Sequence, residues 1–358
     1  MSVFVKPFMQ IVEDCKLEMR DNSSEASVEN KYKRRVNDIY VRDIPSRFEW
    51  DWLRSVSTLI LKAKYSTGTV LATNASANLV GTDTVWTAAM TGMKFTVPST
   101  NEIYTFTRTG ATTGTISPVY QGATASGLTY VIFEYIYALA SDYGRYTTEP
   151  GFYYDYSTGR TQLKWQDDTD FRKYFTTQPS QFPTYFADYG VKSSAGYQQV
   201  RIMPPVDTAR IISYEYIKAL PEMSEFTTGT ATTTLSGTSV TTSSDYSSKI
   251  SAGQYFRIDA DGTWSRISSV STTTLVLDDA YPSANNTATY TVCDAPDMPH
   301  TLHEALFYGA CWLTAKEQGD KTSIQYYLSA YQGAIGMDMA RKNRKRYGRQ
   351  YMRRPVSR

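Results

Sequence analysis

Residues 65–69, Tyr65-Ser66-Thr67-Gly68-Thr69, return at 226–230 as Phe226-Thr227-Thr228-Gly229-Thr230, and the likeness runs well past these five positions. At the same shift of 161, Gly92 and Phe95 match Gly253 and Phe256, and Tyr120 matches Tyr281. A shift of 160 then aligns Tyr104 with Trp264 and Tyr130 with Tyr290, so one deleted residue accounts for the remainder. Matched aromatics and glycines over some seventy residues mark an internal repeat, and its copies stand too far apart for a solenoid. Within the first copy the runs 94–97, 103–106 and 128–133 alternate between apolar and polar residues, and each is bounded by Gly, Pro or Asn. Short strands at close, even spacing predict a small antiparallel barrel or sandwich. Residues 65–134 and 226–296 are therefore read as two copies of one β module inserted into another domain.

The flanking segments read as helical. Phe8, Ile11, Val12, Cys15 and Met19 share one face of a helix that ends at 21–24, and Val28, Tyr32, Val36, Ile39 and Tyr40 stripe a second, which Pro45 should stop. Lys31, Lys33, Arg34 and Arg35 around that stripe read as a solvated face. A β-branched run, 56–61, then leaves the helical part, so that 1–64 comprises the N-terminal helices and an exit strand. Between the modules, 135–225 is dense in Tyr and Phe. It offers a short helix at 168–175 and strands at 185–190, 198–203 and 210–217, the last two joined through Pro204-Pro205 as hairpins. At 297–340, Thr301 with Glu304 and Thr322 with Gln325 have capping-box spacing, Gly319 separates two helices, and so short a link makes them antiparallel neighbours. Ile324, Leu328, Tyr331, Ile335 and Met339 line one face of the second. The fold expected is α+β: a helical bundle from the N- and C-terminal helices, two inserted β-barrel or sandwich modules, and a β-hairpin region.

The last stretch, 341–358, changes character. Arg341, Lys342, Arg344, Lys345, Arg346, Arg349, Arg353, Arg354 and Arg358 are nine cations in eighteen residues, with no carboxylate among them. The remaining 28 Lys and Arg face 35 Asp and Glu over 1–340, a body of −7. A basic arm on an acidic body needs a negative partner, or meets the body of another copy.

Enzyme chemistry finds little purchase. His300 and His303 are the only histidines, without a neighbouring third ligand, and are assigned structural or capping roles. Asp259-Ala260-Asp261-Gly262 opens like a calcium loop but lacks its terminal acid and reads as a turn. There is no nucleophile elbow, metalloprotease motif or phosphate-cradling glycine loop, so neither catalysis nor a cofactor or metal is expected. Three dispersed cysteines give no disulfide framework and point to a reducing compartment. With no leader-like start and no long apolar window, a soluble protein made in the cytoplasm, without a membrane partner, is expected.

The order of parts resembles the phage head-to-tail adaptor family, also called connector or head-completion proteins. The residues that carry the resemblance are Val36-Asn37-Asp38-Ile39-Tyr40, then Trp50-Asp51-Trp52-Leu53-Arg54; the stretch from Val85-Trp86 to Phe95; Ile202-Met203-Pro204-Pro205; and Met298-Pro299-His300-Thr301-Leu302 leading through Gly319-Asp320 to the final helix. The resemblance covers most of the chain. It implies a virion protein at the head-tail interface, forming a ring, typically dodecameric, that docks under the portal protein, extends the DNA channel and meets tail or nozzle proteins. It also implies that 341–358 reaches the portal, with double-stranded DNA as a non-specific second partner. A tail or fibre-like protein that binds receptor or glycan through its β modules is the competing reading.

Overall fold

The computed structural model describes residues 5–100, 102–147, 151–156, 159–173, 180, 182–191, 196–243 and 248–351. The protein is mixed α+β, with several antiparallel sheets, a few helices and more strand than helix. It divides into two compact units: residues 1–53 with 220–358, and residues 54–219.

The first unit opens with three helices from the N-terminal end of the chain, α1 (Phe8–Glu18), α2 (Ala26–Asn37) and α3 (Ile44–Arg47). Pro45 does not stop α2. The chain passes through a π-helical turn, Asp38–Asp43, and Pro45 falls in the first turn of α3, where a missing N–H costs nothing. Of the cations read as a solvated face, Lys33 and Arg35 have side chains only 16% and 12% exposed. Lys33 pairs with Glu29 and Glu225, while Arg35 pairs with Glu317 and reaches Thr314 at 2.8 Å, so both tie α2 to later segments.

Unit two opens with β1 (Arg54–Leu61), the strand expected to leave the helical part. The first module follows as β2 (Thr69–Ala72), β3 (Asn78–Thr82), β4 (Lys94–Thr96), β5 (Ile103–Arg108), β6 (Thr113–Ser117), β7 (Ala125–Leu128) and β8 (Val131–Phe133). These form one sheet in the order β7-β2-β3-β6-β5-β4-β8. Trp86, Phe95, Phe106, Tyr120 and Tyr130 fill its core, where the Trp86 indole donates to the Tyr130 hydroxyl at 2.9 Å and that hydroxyl donates to the Thr67 carbonyl at 2.7 Å.

The aromatic region supplies β9 (Ile136–Ala138), β10 (Tyr143–Tyr146), β11 (Phe152–Tyr156), β12 (Gly159–Gln162), β13 (Lys164–Trp165), α4 (Asp168–Lys173), β14 (Tyr185–Val191), β15 (Gln198–Met203) and β16 (Arg210–Lys218). The expected hairpin of β15 with β16 does not form. β14 and β15 are an antiparallel pair in the sheet β13-β14-β15-β9, whereas β16 pairs β1, β10 and β11 in another sheet. Both sheets feed one core, in which Phe152 packs on Phe186 at 4.5 Å and on Tyr214 at 5.0 Å.

The second module lies in unit one: β17 (Glu225–Phe226), β18 (Ala231–Thr233), β19 (Ser239–Thr242), β20 (Tyr255–Ile258), β21 (Ser265–Val270), β22 (Thr274–Leu277), β23 (Asn285–Ala288) and β24 (Tyr290–Cys293). Its sheet runs β17-β24-β20-β21-β22-β19-β18-β23. The helices α5 (His303–Gln318) and α6 (Lys321–Tyr351) complete the unit. α5 packs against α1, α2 and α6 and is buried through Ala305, Leu306, Ala310, Cys311 and Ala315.

The repeat holds at the level of register. The Tyr120 amide donates to the Ser76 carbonyl as Tyr281 does to Gly237, and Gly92 donates to Phe106 as Gly253 does to Ile267. The left-handed residues Ala75 and Ser236 also coincide. β7 pairs β2 and β23 pairs β18 at a shift of 160, which places the deletion between Tyr120 and Ala125. The alignment of Tyr104 with Trp264 is therefore one residue off. Phe95 faces Tyr104 and Phe256 faces Ser265, so Trp264 occupies the place of Ile103. In a strand such a slip exchanges the two faces, and Tyr104 is buried where Trp264 is only half-buried.

Gly68 and Gly229 have φ of +79° and +93°. A Cβ at Gly68 would lie 2.3 Å from the Thr82 carbonyl oxygen, whereas one at Gly92, also left-handed, would meet nothing within 4 Å. Gly68→Ala is expected to cost ~3 kcal/mol and Gly92→Ala ~1 kcal/mol, read as the difference between the two in urea unfolding of the full chain.

Candidate functional site

The final helix carries the basic segment on its last turns and is anchored by a root in its first half. Asp320, rather than Thr322, caps it, accepting from the amides of Thr322 at 3.1 Å and Ser323 at 3.4 Å and from the Ser323 hydroxyl at 2.5 Å. The Ser323 hydroxyl, helped by the amides, holds the Asp320 carboxyl below its usual range. Gly319, at φ +77°, ends α5 as expected. Thr301 does not cap α5. Its hydroxyl donates to Asp338 of α6 at 3.0 Å, and with Trp312 stacked on Tyr331 this fixes the two helices as antiparallel neighbours.

Tyr331 is the centre of that root. It is fully buried, its ring lies 6.1 Å from Trp312 at 13°, the Arg47 guanidinium sits 5.0 Å over it, and its hydroxyl donates to Asp43. Burial, reinforced by Asp43, drives its pKa far above the ordinary range, so the hydroxyl stays a donor. Tyr327, also buried, donates to Glu18 at 2.9 Å. Ile335 and Ala334 are buried, whereas Ile324, Leu328 and Met339 of the expected stripe are half-buried.

Past Asp338 the helical backbone continues without a break to Tyr351. Arg341, Lys342, Arg344, Lys345, Arg346 and Arg349 are on this segment. At about 100° per residue, positions 341, 345, 349, 342 and 346 follow one another round an arc of about 140°, and Arg344 is set apart from them. Cations in the last turns also suit the negative end of the helix dipole. Arg353, Arg354 and Arg358 lie outside the described residues.

The acidic excess is not spread over the chain. Residues 1–53 and 220–340 carry 14 Lys and Arg against 23 Asp and Glu, a net −9, whereas 54–219 carry 14 against 12, a net +2. The arm's nine positive charges therefore belong to the same unit as the whole of the negative excess.

The other candidate residues are occupied structurally. His303 is buried, its Nδ1 accepts from the Lys6 amide at 3.3 Å, and its Nε2 lies 3.4 Å from the Met298 carbonyl. Asp261 accepts from Asn285 at 2.8 Å and from Ser283, and Asp259 accepts from Thr291 at 2.7 Å, within a turn ending at Gly262. Among the described residues no group of three or more His, Cys, Asp or Glu could hold a metal ion, and no helix is long and apolar enough to cross a membrane.

Burial lowers the His303 pKa, so the folded chain holds a neutral ring. Below the unfolded value of ~6.5 the unfolded state binds a proton that the folded state refuses. Stability is thus complete above that pH and falls as pH drops through it. Urea midpoints between pH 7.5 and 5.5 should show this decline, and His303→Gln should flatten it.

One seam was not visible in the sequence. Arg257 makes a two-pronged ion pair with Glu13 at 2.8 and 2.6 Å, stacks 4.4 Å over Trp264, and Trp264 donates to Gln10 at 3.1 Å. Burial alone would lower the guanidinium pKa, but the Glu13 hydrogen bonds leave it raised. The pair seats the second module on α1. At the equivalent places the first module has Thr96 and Ile103, so the signal lay in the differences between the copies rather than in their likeness.

No protein-family model matches the chain, and no curated protein matches it. A solved structure, that of translation elongation factor SelB from Methanococcus maripaludis in its apo form, is 10% identical over 67% of this chain and 62% of that one. Its TM-score of 0.14 is too low to bear on fold or function.

Proposed function

We propose that the chain is a phage head-to-tail adaptor, a structural virion protein and not an enzyme. In this reading helices from both ends form a helical bundle, the two repeats are barrel-like modules inserted into it, and copies assemble into a ring on the portal that extends the DNA channel toward the tail. The observation that carries it is α6: a single helix, rooted through Tyr331 and Asp338, that continues into a segment of Lys and Arg with no carboxylate. Such an arm suits an acidic docking surface on a large partner, reached by electrostatic steering. The acidic surplus of the remaining unit gives neighbouring copies a complementary surface for the same arm.

Co-sedimentation of the purified chain with purified portal protein tests the reading. Joint migration as one large assembly is expected. Free trimers without portal affinity would contradict it and favour the fibre-like alternative.

A further inference from the structure

Cys15 and Cys311 are free, fully buried and come from opposite ends of the sequence, on α1 and α5. The Cys15 thiol donates to the Phe307 carbonyl oxygen at 3.6 Å. Phe307 lies one turn before Cys311, and a helical side chain leans back over the turn N-terminal to its own Cα. The Cys311 side chain therefore covers the ground that the Cys15 thiol touches. The neighbouring Cys311 thiol, together with burial, raises the Cys15 pKa and keeps that thiol unreactive while the helices are closed. Cys293, the remaining cysteine, is buried on β24, where burial pushes its thiol up to about 12.

We propose that Cys15 and Cys311 are an oxidisable pair, which exchange with a low-molecular-weight disulfide converts into an intramolecular bond tying α1 to α5. One thiolate attacks the reagent disulfide, forming a mixed disulfide and expelling one reagent thiolate. The second protein thiolate then attacks the protein sulfur of that mixed disulfide and expels the other. The protein thiols are oxidised, the reagent is reduced to two thiols, and the two protons released by the cysteines end on them. Because both sulfurs are shielded, the reaction proceeds when α1 parts briefly from α5, and the bond then prevents further parting.

The test incubates the full chain with oxidised glutathione while amide exchange of α1 is followed in parallel. Expected are an intact mass lower by two hydrogens, a Cys15–Cys311 linked peptide, and a thermal midpoint higher by on the order of 5 °C that dithiothreitol reverses. Cys293→Ser should retain all three, and Cys15→Ser or Cys311→Ser should lose them. A glutathione adduct that persists on either cysteine, a link to Cys293, or an unchanged mass after the α1 amides have exchanged would each overturn the proposal.

Discussion

If the chain is the proposed adaptor, removing residues 341–358 is expected to weaken binding to the portal by on the order of 100-fold or more at ~0.15 M salt, while leaving the fold standing. The removed segment holds nine cations and no acid, and the last tertiary hydrogen bond described from α6, Thr301 to Asp338, lies before it. Loss of favourable charge at the helix end should cost under ~1 kcal/mol of stability. Salt titration then separates the two anionic partners proposed for the arm. For duplex DNA, log K should fall with log salt at a slope near −0.9 per phosphate neutralised, and the truncated chain should lose most of that slope. A truncation that bound portal as tightly as the full chain would show that the arm is not the docking element.

Tyr331→Ala is expected to destabilise the first unit by ~4 kcal/mol, read from the urea midpoint of the full chain. It removes a buried ring stacked on Trp312 and under Arg47, together with the hydroxyl that Asp43 accepts. Tyr331→Phe keeps the ring, and Asp43 keeps Arg47 at 2.6 Å, so that variant should cost only ~1 kcal/mol. The contrast matters for the arm. A root weakened at Tyr331 should reduce portal binding through loss of fold, whereas truncation should reduce it with the fold intact.

The modules were legible because their cores depend on a few large aromatics and left-handed glycines that recur at a constant spacing. Phe95 with Phe256 and Gly68 with Gly229 are cases that the pairing registers bear out. The position of the deletion was not legible, because Tyr104 and Trp264 are both aromatic, and only strand pairing shows that one faces the core and the other α1. The Pro204-Pro205 break delimited β15 and β16 as strands but does not encode their partners, and their assignment to one hairpin failed for that reason. Pro45 misled because a stop rule assumes that an α-helix precedes it, whereas a π-turn leads into it here. The arm was plain as a charge run. Its root was half plain: the spacing found Tyr331 and Ile335, but the hydrogen bonds of Tyr327 and Asp338 depend on helices far away in sequence.

The most direct measurement of the central claim is electron-microscopic averaging of the full chain mixed with portal protein. The adaptor reading predicts a closed ring of copies coaxial with the portal, continuing its channel. Isolated particles beside bare portals, or copies bound off the axis without closing a ring, would contradict it.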